Sequence, residues 1–219
     1  CRSPVWPCHR SGAGLCGEDP ERRLVGVDAL RALLEEISSC RICAEHLDLG
    51  PRPVLCAEVS ARVLIIGQAP GTRVHESGIP WNDNSGERLR QWMDVTTEVF
   101  YDASRIAIMP MGFCYPGRNP KGGDMPPRPE CAPKWHSRVL DLLPNVELTL
   151  LVGGYAQAHY LHDRSSKTMT ETVLAWHDCA PTIIPTPHPS WRTTNWLKKN
   201  PWFKTEVLPE LRRHLADLL

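Results

Sequence analysis

Four short runs of aliphatic and β-branched residues, separated by stretches with helical spacing, constrain this chain more than any other feature. The runs are Val63–Ile66, Ile106–Met109, Leu148–Val152 and Thr182–Ile184. Each is continuously apolar rather than alternating, as expected of strands covered on both faces, and that burial is typical of parallel sheets. Between and around them, apolar residues recur at helical spacing. Leu30, Leu33, Leu34 and Ile37 do so within 27–37, and Val207, Leu208, Leu211 and Leu215 within 204–218. Further helical patterns cover 85–95, 133–143, 155–161 and 171–176. Strands alternating with helices predict an α/β fold, a three-layer αβα sandwich around a central four-stranded, mainly parallel sheet. A chain of 219 residues fits one such domain, assigned here to residues 24–219. Residues 1–23 show neither hydrophobic period, so a disordered or non-native lead-in is expected there. Cys1, Cys8 and Cys16 within it receive no role.

No apolar run approaches the roughly 18 residues of a membrane span, and the first residues lack the order of a secretory signal. The expectation is a soluble, cytoplasmic monomer with no membrane partner. The 25 basic side chains balance 25 acidic ones, so net charge neither demands nor excludes a nucleic-acid partner, and local patches carry that question. Nine cysteines cannot all pair internally, and in a reducing compartment such sets more often bind metal.

Open parallel sheets bind ligands at the carboxyl ends of their strands. That rule directs attention to the loops after Ile66, Met109, Val152 and Ile184. The first loop reads Gly67-Gln68-Ala69-Pro70-Gly71, whose glycines allow backbone N–H groups to face a ligand. Plain turn geometry would also explain it. The last loop reads His188-Pro189-Ser190-Trp191-Arg192, with prolines at 185, 187 and 189 stiffening the approach to the histidine. A histidine at a strand end, on the same sheet edge as the glycine loop, is a functional candidate.

GQAPG followed far downstream by HPS resembles the first and second motifs of uracil-DNA glycosylases. Between them, Gly78-Ile79-Pro80-Trp81 resembles the segment whose aromatic ring stacks on a flipped base. The resemblance spans roughly residues 40 to 210 and implies an enzyme that hydrolyses the N-glycosidic bond of uracil, or another deaminated base, in DNA. Gly67, Gln68, Ala69, Trp81 and Asn82 would then surround the base, and His188, Gln68 and Asp83 would carry the chemistry. A neutral histidine suffices to donate a hydrogen bond to the departing base. Asp83-Asn84-Ser85-Gly86 is similar to a segment of family 5 enzymes, which makes Asp83 a candidate to position water. Capping the helix that follows is the competing role, and both can hold.

Cys40 and Cys43 form a C-x2-C pair, while Cys114 and Cys131 enclose sixteen residues. This layout is similar to the cluster ligands of the iron-sulfur branch, families 4 and 5. Four thiolates suit a [4Fe-4S] cluster or zinc, and the wide second pair favours the cluster. A thioredoxin-like pair would follow a strand and open a helix, whereas Cys40 and Cys43 trail one. Cys56 and Cys179 lack matching partners and are expected to be ordinary buried residues.

Two positions depart from the best-known members. Ala69 stands where an acid follows the motif glutamine, and Pro110 falls where an asparagine reads the base. Proline has no N–H and no polar side-chain group. Asn82 is a possible substitute. Residues 179–205 contain no acid and carry Arg192, Lys198 and Lys199 among tryptophans. Ser190, Trp191, Arg192, Lys198 and Lys199 are therefore assigned to DNA, while Trp202 and Phe203 fit either DNA contact or core. The runner-up reading is an iron-sulfur protein that recognises uracil or single-stranded DNA without turnover.

Overall fold

The computed structural model describes residues 20–161 and 168–219. All four apolar runs are strands: β1 (Val63–Ile66), β2 (Ile106–Ile108), β3 (Leu148–Val152) and β4 (Ile183–Thr186). They pair in the order β2-β1-β3-β4, every pair parallel, with Ile65 opposite Ile108 on one side and Leu150 on the other. Every strand residue is buried.

Because successive strand side chains point to opposite faces, β1 feeds two cores. Leu64 and Ile66 pack with Leu30, Leu33 and Ile37 of α1 (Pro20–Ser38) and with Trp135 and Val139 of α5 (Cys131–Leu140). Val63 and Ile65 pack on the other face with Leu89, Trp92 and Met93 of α3 (Asn84–Met93), and with Leu211 and Leu215 of α9 (Leu208–Leu218). Ala156 of α6 (Gly154–Tyr160) joins the first core and Val173 of α7 (Met169–Leu174) the second. The three-layer αβα sandwich follows, and its sheet is wholly parallel.

Three short helices lack a sequence signature. α2 (Thr72–Ser77) buries Val74, α4 (Thr97–Tyr101) buries Phe100, and α8 (Thr194–Lys199) buries nothing. A helix that buries one side chain or none shows no periodic stripe. The C-terminal pattern divides into a π-helical turn, Phe203–Val207, and α9, joined next to Pro209. α1 begins at Pro20, earlier than its apolar period. The expectation for the lead-in otherwise lies outside the described residues, as do Cys1, Cys8 and Cys16. Among the described residues no helix is long and apolar enough to cross a membrane.

His136 of α5 ties three parts of the frame together. Its Nε2–H donates to the Pro110 carbonyl at 3.2 Å, and its Nδ1 lies 2.6 Å from the Tyr160 hydroxyl. The ring stacks on Phe113 with centroids 5.6 Å apart. Burial, aided by His159 nearby, pulls its pKa down to about 4 from 6.5. The folded protein thus holds His136 neutral where the unfolded chain binds a proton. Its contribution is complete above about pH 6.5 and is lost as pH falls toward 4, on the order of 3 kcal/mol across that window. Thermal unfolding of His136→Gln should therefore depend less on pH between about 7 and 5 than that of the parent; equal slopes would remove His136 as the cause.

Candidate active site

The chain visits β2 on one side of β1 and then β3 on the other, so the reversal lies between β1 and β3. A cavity of about 680 Å³ opens at the carboxyl ends of the strands, where such reversals place ligand sites. Gly67, Gln68, Ala69, Trp81, Asp83, Pro110, His188, Ser190, Trp191 and Arg192 all line it. The structure therefore gathers most of the residues proposed from sequence.

The close approach of Trp81 to β1 organises the cavity floor. A methyl group on Gly67 would lie 2.7 Å from Trp81 Cζ2, so only glycine fits beneath that ring. Trp81 has a left-handed backbone with φ 57°, a conformation that non-glycine residues adopt at a cost of about 1–3 kcal/mol. The α3 N-terminus holds it there, since a methyl on Gly86 would fall 1.8 Å from the Trp81 carbonyl oxygen. Beside the indole, the His188 ring centroid is 5.6 Å away with a 32° tilt. Among the described residues neither nitrogen of that imidazole has a hydrogen-bond partner, although Thr193 donates to the His188 carbonyl. Burial pushes the His188 pKa down, and the Asp83 charge offsets part of the shift. A neutral ring with one free donor and one free acceptor results.

Asp83 fills the capping role and keeps its second carboxylate oxygen off the cap. Oδ1 accepts the Gly86 N–H at 2.8 Å and caps α3. Oδ2 faces the cavity, 4.0 Å from where a methyl on Gly71 would stand. Asn82, by contrast, is exposed and does not line the cavity, so its amide is not the substitute for the missing asparagine in this conformation. The end of β2 supplies no free donor either. Met111 and Gly112 give their N–H groups to the carbonyls of Gly67 and Gln68, and the Pro110 carbonyl receives His136.

The loop between Cys114 and Cys131 contributes what sequence reading missed. Asn119 N–H bonds to Gly123 O and Met125 N–H to Gly117 O, both at 2.8 Å, so residues 117–125 form a tight hairpin. Gly117, Gly122 and Gly123 have positive φ, which the glycines of GRNPKGGD signal in retrospect. Gln68 braces this hairpin, its Nε2 donating to the Met125 carbonyl at 3.2 Å. Asp124 enters the cavity from it, with Oδ2 3.6 Å from a methyl placed on Gly71. Burial lifts its carboxyl above the ordinary range, Arg118 and Arg192 pull it back, and Asp83 raises it further.

The residues assigned to DNA separate into two groups. Trp191 is 75% exposed at the cavity rim, and the Arg192 guanidinium lies 5.6 Å from its ring centroid. That guanidinium also rests on the hairpin, 2.6 Å from a methyl placed on Gly123. Ser190 accepts from Arg88 through its carbonyl at 2.7 Å. Lys198 and Lys199 are exposed at the end of α8, outside the cavity lining. Phe203 is buried in the second core and Trp202 packs against it, which settles those two as core residues.

Cys40, Cys43, Cys114 and Cys131 line one separate cavity of about 20 Å³, walled by Leu47, Phe113 and Trp135 among others. All four are free thiols. Among the described residues no three His, Cys, Asp or Glu side chains are grouped as around a metal ion. Phe113 N–H donates to Cys131 Sγ at 3.3 Å, and Cys43 Sγ–H points to Glu130 Oε2 at 3.6 Å. Burial, with the neighbouring thiols, pushes Cys131 up to about 12 and Cys114 to about 11. Cys56 lies apart, in a bridge with Ile108, and Cys179 is in the core.

A glycine-lined turn, an indole and an imidazole without a hydrogen-bond partner among the described residues thus meet at one edge of a parallel sheet in an α/β fold. The family model of the uracil DNA glycosylase superfamily matches residues 53–212, and the chain belongs to that superfamily. Its members act on DNA and generally hydrolyse N-glycosyl bonds. Cys114 and Cys131 fall within the match, while Cys40 and Cys43 precede it.

The geometry of Trp81 makes a stability prediction. Gly86→Ala should destabilise the protein by about 1–3 kcal/mol in urea unfolding, the usual cost of forcing a group into filled space. Gly154→Ala, where an added methyl meets nothing, is the control and should be neutral or stabilising.

Proposed function

We propose that this protein is a DNA glycosylase that hydrolyses the N-glycosidic bond of a flipped uracil, or another deaminated base, and so initiates base excision repair. The observation that carries this reading is the neutral, unpartnered imidazole of His188 beside Trp81. Breaking an N-glycosidic bond leaves positive character on the sugar and negative charge on the departing base. A flipped base stacked on the indole would present its oxygen to the His188 N–H, and the Gly67–Gln68 turn would offer further donors to the same anion. Asp83 Oδ2, free of the cap, would hold water toward the sugar. Pro110 leaves the end of β2 without a polar reader, so base choice would rest on shape and on His188, which accommodates more than one deaminated base. Exposed Trp191, with Arg192 stacked on it, would meet the DNA strand at the cavity rim.

The four cysteines fit a [4Fe-4S] cluster better than zinc. The four thiols share one cavity, and the wide spacing of Cys114 and Cys131 is unlike the paired C-x2-C ligands of zinc ribbons. When bound, the cluster would act as a structural tie among the end of α1, the start of α5 and the hairpin loop, with Phe113 N–H stabilising one ligating sulfur.

His188→Ala should lower the single-turnover rate on a uracil-containing oligonucleotide by about 10² to 10³, with little change in DNA affinity. Parent rates in that variant would sink the reading. A parent protein that shifts the DNA band but leaves no alkali-labile site would show recognition without turnover instead. For the cluster, anaerobically purified protein should be brown and hold about four irons, and Cys114→Ala should bleach it; full iron content in that variant would reject the ligand set.

A further inference from the structure

We infer that Asp124 is a second carboxylate of the catalytic site, close to Asp83 beside Gly71, and that it shares with Asp83 the water that attacks the sugar and takes its proton. The inference rests on the glycosylase reading and assigns its nucleophile. Three observations converge on it. Asp124 Oδ2 and Asp83 Oδ2 lie 3.6 and 4.0 Å from the same point, a methyl built on Gly71. They therefore approach the same stretch of the first-motif loop. Into the same cavity projects the His188 imidazole, which has no partner of its own among the described residues. Asp124 is also held from two sides: Gln68 bonds to the carbonyl of its neighbour Met125, and the Arg192 guanidinium lies against Gly123.

This placement accounts for Ala69. The motif lacks an acid after its glutamine, and the glutamine instead anchors a hairpin that brings an acid from elsewhere in the chain. Asp83 spends Oδ1 on the α3 cap, whereas Asp124 has no capping duty. In the reaction, the bond between C1′ and the base nitrogen breaks and its electron pair leaves with the base. The water oxygen then bonds to C1′, and the water proton passes to the Asp124 carboxylate. That proton leaves to solvent, from which the base anion is protonated.

The charged groups around Asp124 are Asp83, Arg118 and Arg192. With burial raising its pKa, Asp124 must lose its proton to act. The rate should therefore fall as pH drops through a value above the ordinary carboxylate range.

The test is single-turnover cleavage of a uracil-containing single-stranded oligonucleotide by full-length, cluster-loaded protein. Asp124→Asn should slow cleavage by about 10²-fold and remove that low-pH limb, with DNA affinity and melting temperature unchanged. Asp124→Glu, which keeps the charge, should recover part of the rate. An Asp124→Asn protein that cleaves at the parent rate, or that slows only in proportion to lost stability, overturns the assignment and leaves the glycosylase reading standing. A parent that binds the oligonucleotide but never cleaves it overturns both.

Discussion

The double burial of β1 is the constraint from which the rest follows. Val63, Leu64, Ile65 and Ile66 are sealed by helices on both faces and by β2 and β3 on both edges. A central parallel strand must then release its chain at one end of the sheet, and β3 and β4 release theirs at the same end. Gly67 and His188 line one cavity for that reason, with Gly153 packed behind His188. Gly153, with φ +88°, lets the turn after β3 pass 3.4 Å from the His188 Cβ, measured from a methyl built on that glycine. The ends of β1, β2 and β4 thereby each deliver a piece of the site.

The sandwich and its strands were legible because continuous apolar runs and helical stripes report burial directly. His188, Gly67 and Trp81 were legible because motif residues sit at strand ends and inside one loop. The hairpin at 117–125 was not, since its glycines signal a turn but not where the turn points. Its direction is set by Gln68 and Arg192, which lie about fifty and seventy residues away in sequence, a long-range pairing that no local pattern encodes. Asn82 is the opposite case. It is adjacent in sequence to Trp81, but it follows a left-handed backbone and is exposed, outside the cavity lining. α8 went unread because it buries no residue, and only burial leaves a trace in periodicity.

Strain and support are paired around Trp81. A residue held at φ 57° persists only where its surroundings determine it, and three glycines do so here. Gly67 admits the ring, Gly86 admits the carbonyl and Gly78, with φ 72°, ends α2 just before the turn. Arg52 completes the support by donating to the carbonyls of His75 and Glu76 at the end of α2. The indole is thus fixed before any ligand arrives, which spares the ordering cost of a mobile side chain on binding.

On the glycosylase reading proposed above, the cavity would have to meet a bond breaking into two ions, with Asp83, Asp124, Arg118 and Arg192 as its charged groups. Asp83 and Asp124 gather on the Gly71 side, while the neutral imidazole of His188 lies against Trp81. A sugar between them would develop its positive charge near the carboxylates and release its negative charge toward the imidazole donor. Holding His188 neutral serves this arrangement. A buried imidazolium would be drawn to Asp83, whose charge already acts on His188, and such a pair would consume both the donor and the free carboxylate oxygen. Burial prevents the pairing by disfavouring the charged ring. In the proposed reaction the donor would stay available until negative charge appears on a base, which is when such a hydrogen bond strengthens most.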